Sequence, residues 1–161
     1  MLRSDYEGQV CSIARALELV GERWTLLILR DAFRGARRFE EFQRSLGVAR
    51  NVLGSRLQRL VAAGILVRVP YQEHPPRDEY RLTEKGLGLW PVMIDLLQWG
   101  DAHLAGAAGP PVLIRHRDCG GSLDSRRRCE RCGAELGPRD VELLPGPGGG
   151  AGRHEPAPAG A

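Results

Sequence analysis

A chain of 161 residues, 42% of them hydrophobic and 27% charged, holds enough apolar content for one core of ordinary size and a small appended module. Its formal net charge is only +3, so a polyanionic partner has to be argued from where the charges lie. No window approaches the ~18 consecutive apolar residues of a membrane span, and Met1 to Glu7 mixes charges of both signs without the apolar stretch of a secretory signal. The chain is therefore expected in the cytoplasm without a membrane partner, and its four cysteines read there as thiols or metal ligands rather than a disulfide framework.

Two helical segments come first. Cys11 to Val20 repeats apolar residues at Ile13, Ala14, Ala16, Leu17 and Val20, and Trp24 to Phe33 does so at Trp24, Leu27, Ile28 and Ala32, with breaks at Gly21 and Gly35. Both read as core and scaffold. From Arg38 to Leu82 a short helix, a tight turn, a basic second helix and a Pro-rich hairpin follow one another. Phe39, Phe42 and Leu46 make the buried stripe of the short helix, and Gly47 supplies the turn. The second helix starts at Ala49. Val52, Leu53, Leu57, Leu60 and Val61 recur on one face, Arg50, Asn51, Ser55, Gln58 and Arg59 lie largely on the other, and Gly64 ends it. Ile65 to Val69 reads as a strand, Tyr80 to Leu82 as its return, and Glu73 to Asp78 as a rigid tip.

This order is that of a winged helix-turn-helix, and its chemistry points to double-stranded DNA. The major groove admits one α-helix, whose polar N-terminal half reaches base edges. Arg50, Asn51 and Ser55 sit where that reach exists, since arginine pairs bidentately with guanine and asparagine with adenine. Arg37, Arg38, Arg44, Arg56 and Arg59 are placed to hold phosphates, and Arg77, beside Pro75 and Pro76, suits a minor groove or an adjacent phosphate. Between Arg30 and Arg81 eleven arginines stand against six acids, so this segment is more basic than the chain as a whole.

Past the wing, Thr83 is a helix N-cap, and the following helix carries Leu89, Trp90, Met93, Ile94, Leu96, Leu97 and Trp99, with Pro91 kinking it or marking a fresh start. So much apolar surface on a terminal helix suggests a partner surface, and self-association is the economical reading. Residues 105–112, rich in Gly, Ala and Pro, read as a linker. His116-x2-Cys119-Gly and Cys129-x2-Cys132-Gly then form a pair of zinc knuckles within a candidate module over 113–144. Paired x2 spacing lets one tight turn present two ligands, and four filled positions imply a closed structural zinc site. A disulfide or unligated thiols are the alternatives. The module's role stays open between stiffening a dimer, extending DNA contacts through Arg126, Arg127 and Arg128, and binding a protein. Residues 145–161 are Gly, Pro and Ala with few charges, and disorder is expected there. The fold class is thus mainly α with a small β-hairpin: a winged helix-turn-helix domain over 1–104 and a short zinc-ribbon-like C-terminal module.

The runs from Cys11 to Leu17 and from Gly21 to Arg30, the Arg38-Phe39 pair, the Leu53 to Leu60 helix, Pro75-Pro76-Arg77-Asp78-Glu79-Tyr80 with Leu82-Thr83, and Trp99-Gly100 resemble the HxlR-type winged helix-turn-helix transcriptional regulators in both order and spacing. The likeness covers roughly Cys11 to Gly100. It implies a homodimer held by its N- and C-terminal helices on a palindromic operator, with a recognition helix at about Ala49 to Ala63 and a wing tip at His74 to Asp78 in each subunit. It also implies a bacterial or archaeal source, control of nearby genes, and no enzymatic turnover. Several members of that family sense oxidants, electrophiles or aldehydes through a cysteine before the first helix, which makes Cys11 a candidate redox sensor; a helix N-terminus favours a thiolate. Here Ser12 replaces the proline that usually follows, and the plainer reading of Cys11 is a small residue packed at the dimer interface. Signals such as an oxidant or a small molecule are the inputs to consider. No G-x-S-x-G, P-loop or H-E-x-x-H is present to suggest an enzyme. The competing reading is a protein-interaction adaptor that uses the winged domain and zinc module without reading DNA sequence.

Overall fold

The computed structural model describes residues 10–149, which divide into two compact units, one ending at Gly86 and the other starting at Leu87. The first unit holds α1 (Ser12–Val20), α2 (Thr25–Phe33), α3 (Phe39–Leu46), α4 (Arg50–Ala62) and an antiparallel hairpin of β1 (Leu66–Gln72) and β2 (Arg77–Leu82); α5 (Glu84–Leu87) runs across the boundary. The second holds α6 (Trp90–Leu104), a 3-10 turn (Gly106–Ala108), and a second hairpin of β3 (Val112–His116) and β4 (Val141–Pro145). Among the described residues no helix is long and apolar enough to cross a membrane.

The apolar spacing of each helix accounts for the core of the first unit. Ile28 and Leu29 on α2, Phe42 on α3, and Leu53, Leu57 and Leu60 on α4 are all within 1% of complete burial, joined by Leu66 at the start of β1. Each such side chain contributes ~1.5–3 kcal/mol of transfer free energy. Phe42 meets Tyr80 of β2 edge to face with ring centroids 6.4 Å apart. The α3 N-terminus is secured by Glu41, whose carboxylate accepts from the backbone N–H of Arg37 (2.7 Å) and Arg38 (2.9 Å). Its other end stops at Gly47, whose φ of 62° is left-handed, so the chain turns sharply into α4. At the far end of α4, Lys85 donates to the Ala63 carbonyl (2.7 Å), a cation on the negative end of the helix dipole. Thr83 caps α5 as expected, accepting from Gly86 N–H (3.1 Å) while its hydroxyl donates to the Gly64 carbonyl (2.6 Å).

The hairpin is longer than its β-branched runs indicated. Pairing continues to Pro70 opposite Asp78 and, after a bulge at Tyr71, to Gln72 opposite Arg77. Pro70 cannot donate to a ladder, but in a two-stranded hairpin each strand has one open edge, and a missing donor facing outward costs nothing. Pro91 lies in the first turn of α6, where its missing N–H has no intrahelical partner to lose, so it opens a new helix instead of kinking an old one.

In the second unit β3 and β4 pair from Val112 opposite Pro145 to His116 opposite Val141. Two expectations change here. The stretch 105–112 contains the 3-10 turn and the first residue of β3, and the chain from Pro145 to Gly149 is not loose: Gly146 and Gly148 donate to the carbonyls of Pro111 (2.9 Å) and Pro110 (3.1 Å), extending the ladder. Gly and Pro lower the propensity for a strand but do not prevent pairing along an existing edge, and a Cβ at Gly146 or Gly148 would overlap the facing backbone. Disorder over 150–161 lies outside the described residues.

Candidate nucleic-acid interface and metal centre

A helix advances ~100° per residue, which places Arg50, Asn51, Ser55 and Gln58 of α4 within one arc of about 140°, and all four are exposed. Arg50 is the most ordered of them. Its Nη1 donates to Gln43 Oε1 on α3 (2.9 Å), and its guanidinium carbon lies 4.7 Å from the centroid of the Phe39 ring. Arg44, near the end of α3, and Arg77, at the start of β2, are exposed and make no ion pair among the described residues. Arg38 stands at the base of the wing, its guanidinium 4.5 Å from the Tyr71 ring centroid and 3.5 Å from the Glu79 carboxylate. A hydrogen bond from Arg81 (3.0 Å) holds the Glu79 carboxyl below the usual carboxylate range; partial burial opposes this, and the charges of Arg81 and Arg38 reinforce it.

Arg56 and Arg59 have acidic partners within the unit. Arg56 sits ~100° beyond the exposed arc, and its Nη2 contacts Glu22 at 2.8 Å with the side chain only 22% exposed. Arg59 donates to the Glu18 carbonyl (3.2 Å) and faces Glu22 at 3.7 Å. Both therefore brace α4 against the end of α1 and the turn before α2. Helical spacing sets Arg56 off that arc and leaves Arg59 beside it, and only the position of Glu22 reveals what they face. Cys11 is exposed at the N-cap of α1 with extended backbone (φ −148°), and its side chain makes no capping hydrogen bond.

The second site lies wholly within the unit that follows Gly86. His116, Cys119, Cys129 and Cys132 bring their ligand atoms within 4.8 Å of one another. His116 Nδ1 is 3.2 Å from Cys119 Sγ and 3.4 Å from Cys132 Sγ, and the sulfurs of Cys119 and Cys129 are 3.3 Å apart. A tetrahedron with Zn–S bonds of ~2.3 Å has edges of roughly 3.8 Å, so these four atoms surround a volume of the right size for one ion. The two knuckles are built alike. In each, the N–H of the glycine after the second ligand donates to the carbonyl of the first ligand (Gly120 to His116 and Gly133 to Cys129, both 2.8 Å), and that glycine has φ near 70°. Gly121 has a separate reason to be glycine: a Cβ there would overlap Cys129 Sγ and lie 2.8 Å from the Arg131 Cβ. His116 turns Nδ1 toward the sulfurs of Cys119 and Cys132, and its Nε2 faces the exposed Asp118 carboxylate at 3.5 Å.

The electrostatics suit a cation. Burial resists ionisation of Cys129, yet the backbone N–H groups of Cys132 and Arg131 and the Cys119 thiol bring its pKa to about 6. For Cys119, a backbone bond from Gly121 favours the thiolate but is outweighed by the Cys129 thiol, burial and Cys132, so its pKa rises. Three sulfurs this close share charge poorly without a counter-ion, and a metal ion in their midst removes the conflict. Two contacts join this site to α6: Gln98 Nε2 donates to the carbonyl of Asp124 (3.0 Å), and Arg127 Nη1 meets Asp95 (3.2 Å). Arg127 is thus occupied, while Arg126 and Arg128 remain exposed. Neither Gly121, Asp95 nor Gln98 stood out in the sequence, because spacing identifies ligands but not what lies against them.

The model of the HxlR-like helix-turn-helix family matches residues 19–107. An uncharacterized HTH-type transcriptional regulator of Mycobacterium tuberculosis is 52% identical over 143 residues, 89% of each chain, so the likeness continues through the metal-centre unit. The crystal structure of PA1607, a candidate transcription factor, superposes with a TM-score of 0.68 at 38% identity over 85% of this chain and 96% of that one. The redox regulator HypR in its reduced form gives 0.54 at 31% identity over 57% of this chain and 92% of its own. With a winged helix-turn-helix built as described and relatives of this closeness, the chain belongs to the HxlR-like helix-turn-helix family of DNA-binding transcriptional regulators.

Proposed function

We propose that this regulator binds a palindromic operator as a homodimer, with α4 of each subunit in a major groove and the β1–β2 wing beside it. The observation that carries this reading is the exposed arc of α4, where Arg50, Asn51 and Ser55 offer base-reading groups that no acidic side chain among the described residues neutralises. Arg44 and Arg38 hold phosphates, and Arg77 at the wing contacts a phosphate or the minor groove. Arg56 and Arg59 act indirectly, by fixing the angle of α4 through Glu22. Self-association is supported by apolar side chains left exposed on two helices: Ile13 and Leu17 on α1, and Val92, Leu96 and Trp99 on α6, at i, i+4 and i+7. His116, Cys119, Cys129 and Cys132 hold one structural zinc, which adds to the small apolar core that Ile114, Leu136 and Val141 form in a short polar segment. Cys11, exposed at a helix N-terminus and present in a chain similar to a redox regulator, is the candidate oxidant sensor.

The test is binding of purified, zinc-loaded, reduced protein to duplexes from the promoter beside its own gene, measured across salt concentration. A steep fall in affinity with salt and a two-fold symmetric footprint are expected, because several arginines displace counterions. Absence of duplex affinity at low salt refutes the reading and leaves the adaptor role in its place.

A further inference from the structure

We propose that Gln43 and Phe39, one turn apart on α3, are positioning residues that set the sequence specificity of Arg50. This rests on the reading of Arg50 as a base-contacting residue.

Two contacts of different kind act on the same guanidinium. The Gln43 carbonyl oxygen accepts from Nη1 at 2.9 Å, which fixes one edge, and the Phe39 ring, with its centroid 4.7 Å away, fixes the plane. A guanidinium carries five N–H donors in a rigid fork. Gln43 occupies one on Nη1, so the adjacent pair on Nε and Nη2 stays available, and such a pair suits O6 and N7 of guanine. Arg44 and Arg77 have no such restraint and can follow a phosphate wherever it lies. The restraint affects discrimination more than attraction. A mobile arginine facing the wrong base swings to another acceptor, whereas a clamped fork loses its bonds. A side chain ordered before binding also gives up less rotamer freedom when the complex forms. Gln43 is neutral and leaves the net charge at the interface untouched.

A rival is built into the same residue, since the Gln43 amide N–H2 could donate directly to DNA. A double-mutant cycle separates the two. Full-length, zinc-loaded protein is assayed on the duplex that wild type enriches from a randomised library, and on duplexes with each base pair of it changed in turn, using wild type, Arg50→Ala, Gln43→Met, the double variant and Phe39→Leu. Thermal melts verify that each is folded, and Phe39→Leu supplies a second, independent break of the clamp. Arg50→Ala is expected to flatten discrimination at one base pair by about 5- to 150-fold. Gln43→Met should flatten the same position by about 2- to 10-fold, leave the salt slope unchanged, and add nothing in the Arg50→Ala background. A Gln43→Met effect at another base pair, an equal effect in both backgrounds, or no effect from either Gln43→Met or Phe39→Leu overturns the proposal. If Arg50→Ala leaves every base preference intact, the base-reading assignment itself fails, and the clamp with it.

Discussion

Substituting alanine at two adjacent glycines of the first knuckle should damage the metal centre in two distinguishable ways. At Gly120 the backbone has φ of 69° and nothing within 4 Å of a new Cβ, so Gly120→Ala meets only left-handed strain of roughly 1–2 kcal/mol. Where folding and metal binding are coupled, that strain lowers zinc affinity by about 5- to 30-fold without moving a ligand. At Gly121 there is no left-handed strain to add, but the Cβ overlaps Cys129 Sγ and comes within 2.8 Å of the Arg131 Cβ. Relief requires a displacement of several tenths of an ångström, more than the ~0.2 Å that a zinc–ligand distance tolerates. Gly121→Ala should therefore weaken binding by about 10- to 100-fold. Zinc affinity is read by competition with a chromophoric chelator on untagged protein, and ligand geometry from the visible spectrum of the cobalt(II) form. The expected result is a wild-type spectrum with reduced affinity for Gly120→Ala and an altered spectrum for Gly121→Ala. A Gly121→Ala protein with the wild-type spectrum and affinity within about 5-fold would show that Cys129 is not held where the geometry puts it.

Arg44→Ala should weaken binding to every duplex alike and lower the salt slope by about one, as for a phosphate contact; a change in base preference would reassign Arg44 to reading. Arg56→Met should cost roughly 1 kcal/mol of stability in urea denaturation through loss of the Glu22 pair while leaving the salt slope unchanged; a slope reduced by one would return Arg56 to the phosphates. Glu79 has its carboxyl held below the usual range by Arg81 and Arg38, so its contribution is present above the unfolded carboxylate pKa of ~4.3 and is lost as pH falls through the folded value. Wild type should be more stable than Glu79→Gln at pH ~5, with the two curves converging in more acid solution. A difference that stays constant across that range would contradict the ion-pair account.

The helices of the first unit were legible because each carries its own period. Phe39, Phe42 and Leu46 mark α3 over the residues it occupies, and Leu53, Leu57 and Leu60 mark α4, since burial on one side leaves a trace every three or four residues. Arginine roles left no such trace. Arg50, Arg56 and Arg59 look alike in sequence, yet one rests on Phe39 and Gln43 while two turn toward Glu22, and the distinction depends on an acid 34 residues from Arg56 that local spacing cannot locate. The β-hairpin runs past its local pattern for the same reason in reverse: Pro70 and Tyr71 break that pattern, but the partner strand supplies the order they lack.

The candidate metal centre shows the limit most clearly. Ligand identity is a matter of spacing, and His116, Cys119, Cys129 and Cys132 converge because each pair is carried on one tight turn. What makes four ligands a site is a question of volume: the absence of a side chain at Gly121, the Asp118 carboxylate behind His116, and the hold of Gln98 and Asp95 on the loop between the knuckles. Those contacts also alter the role of α6. A helix that reads as the last element of a DNA-binding domain is bonded to the segment between the two knuckles, through Gln98 to the Asp124 carbonyl and through Asp95 to Arg127.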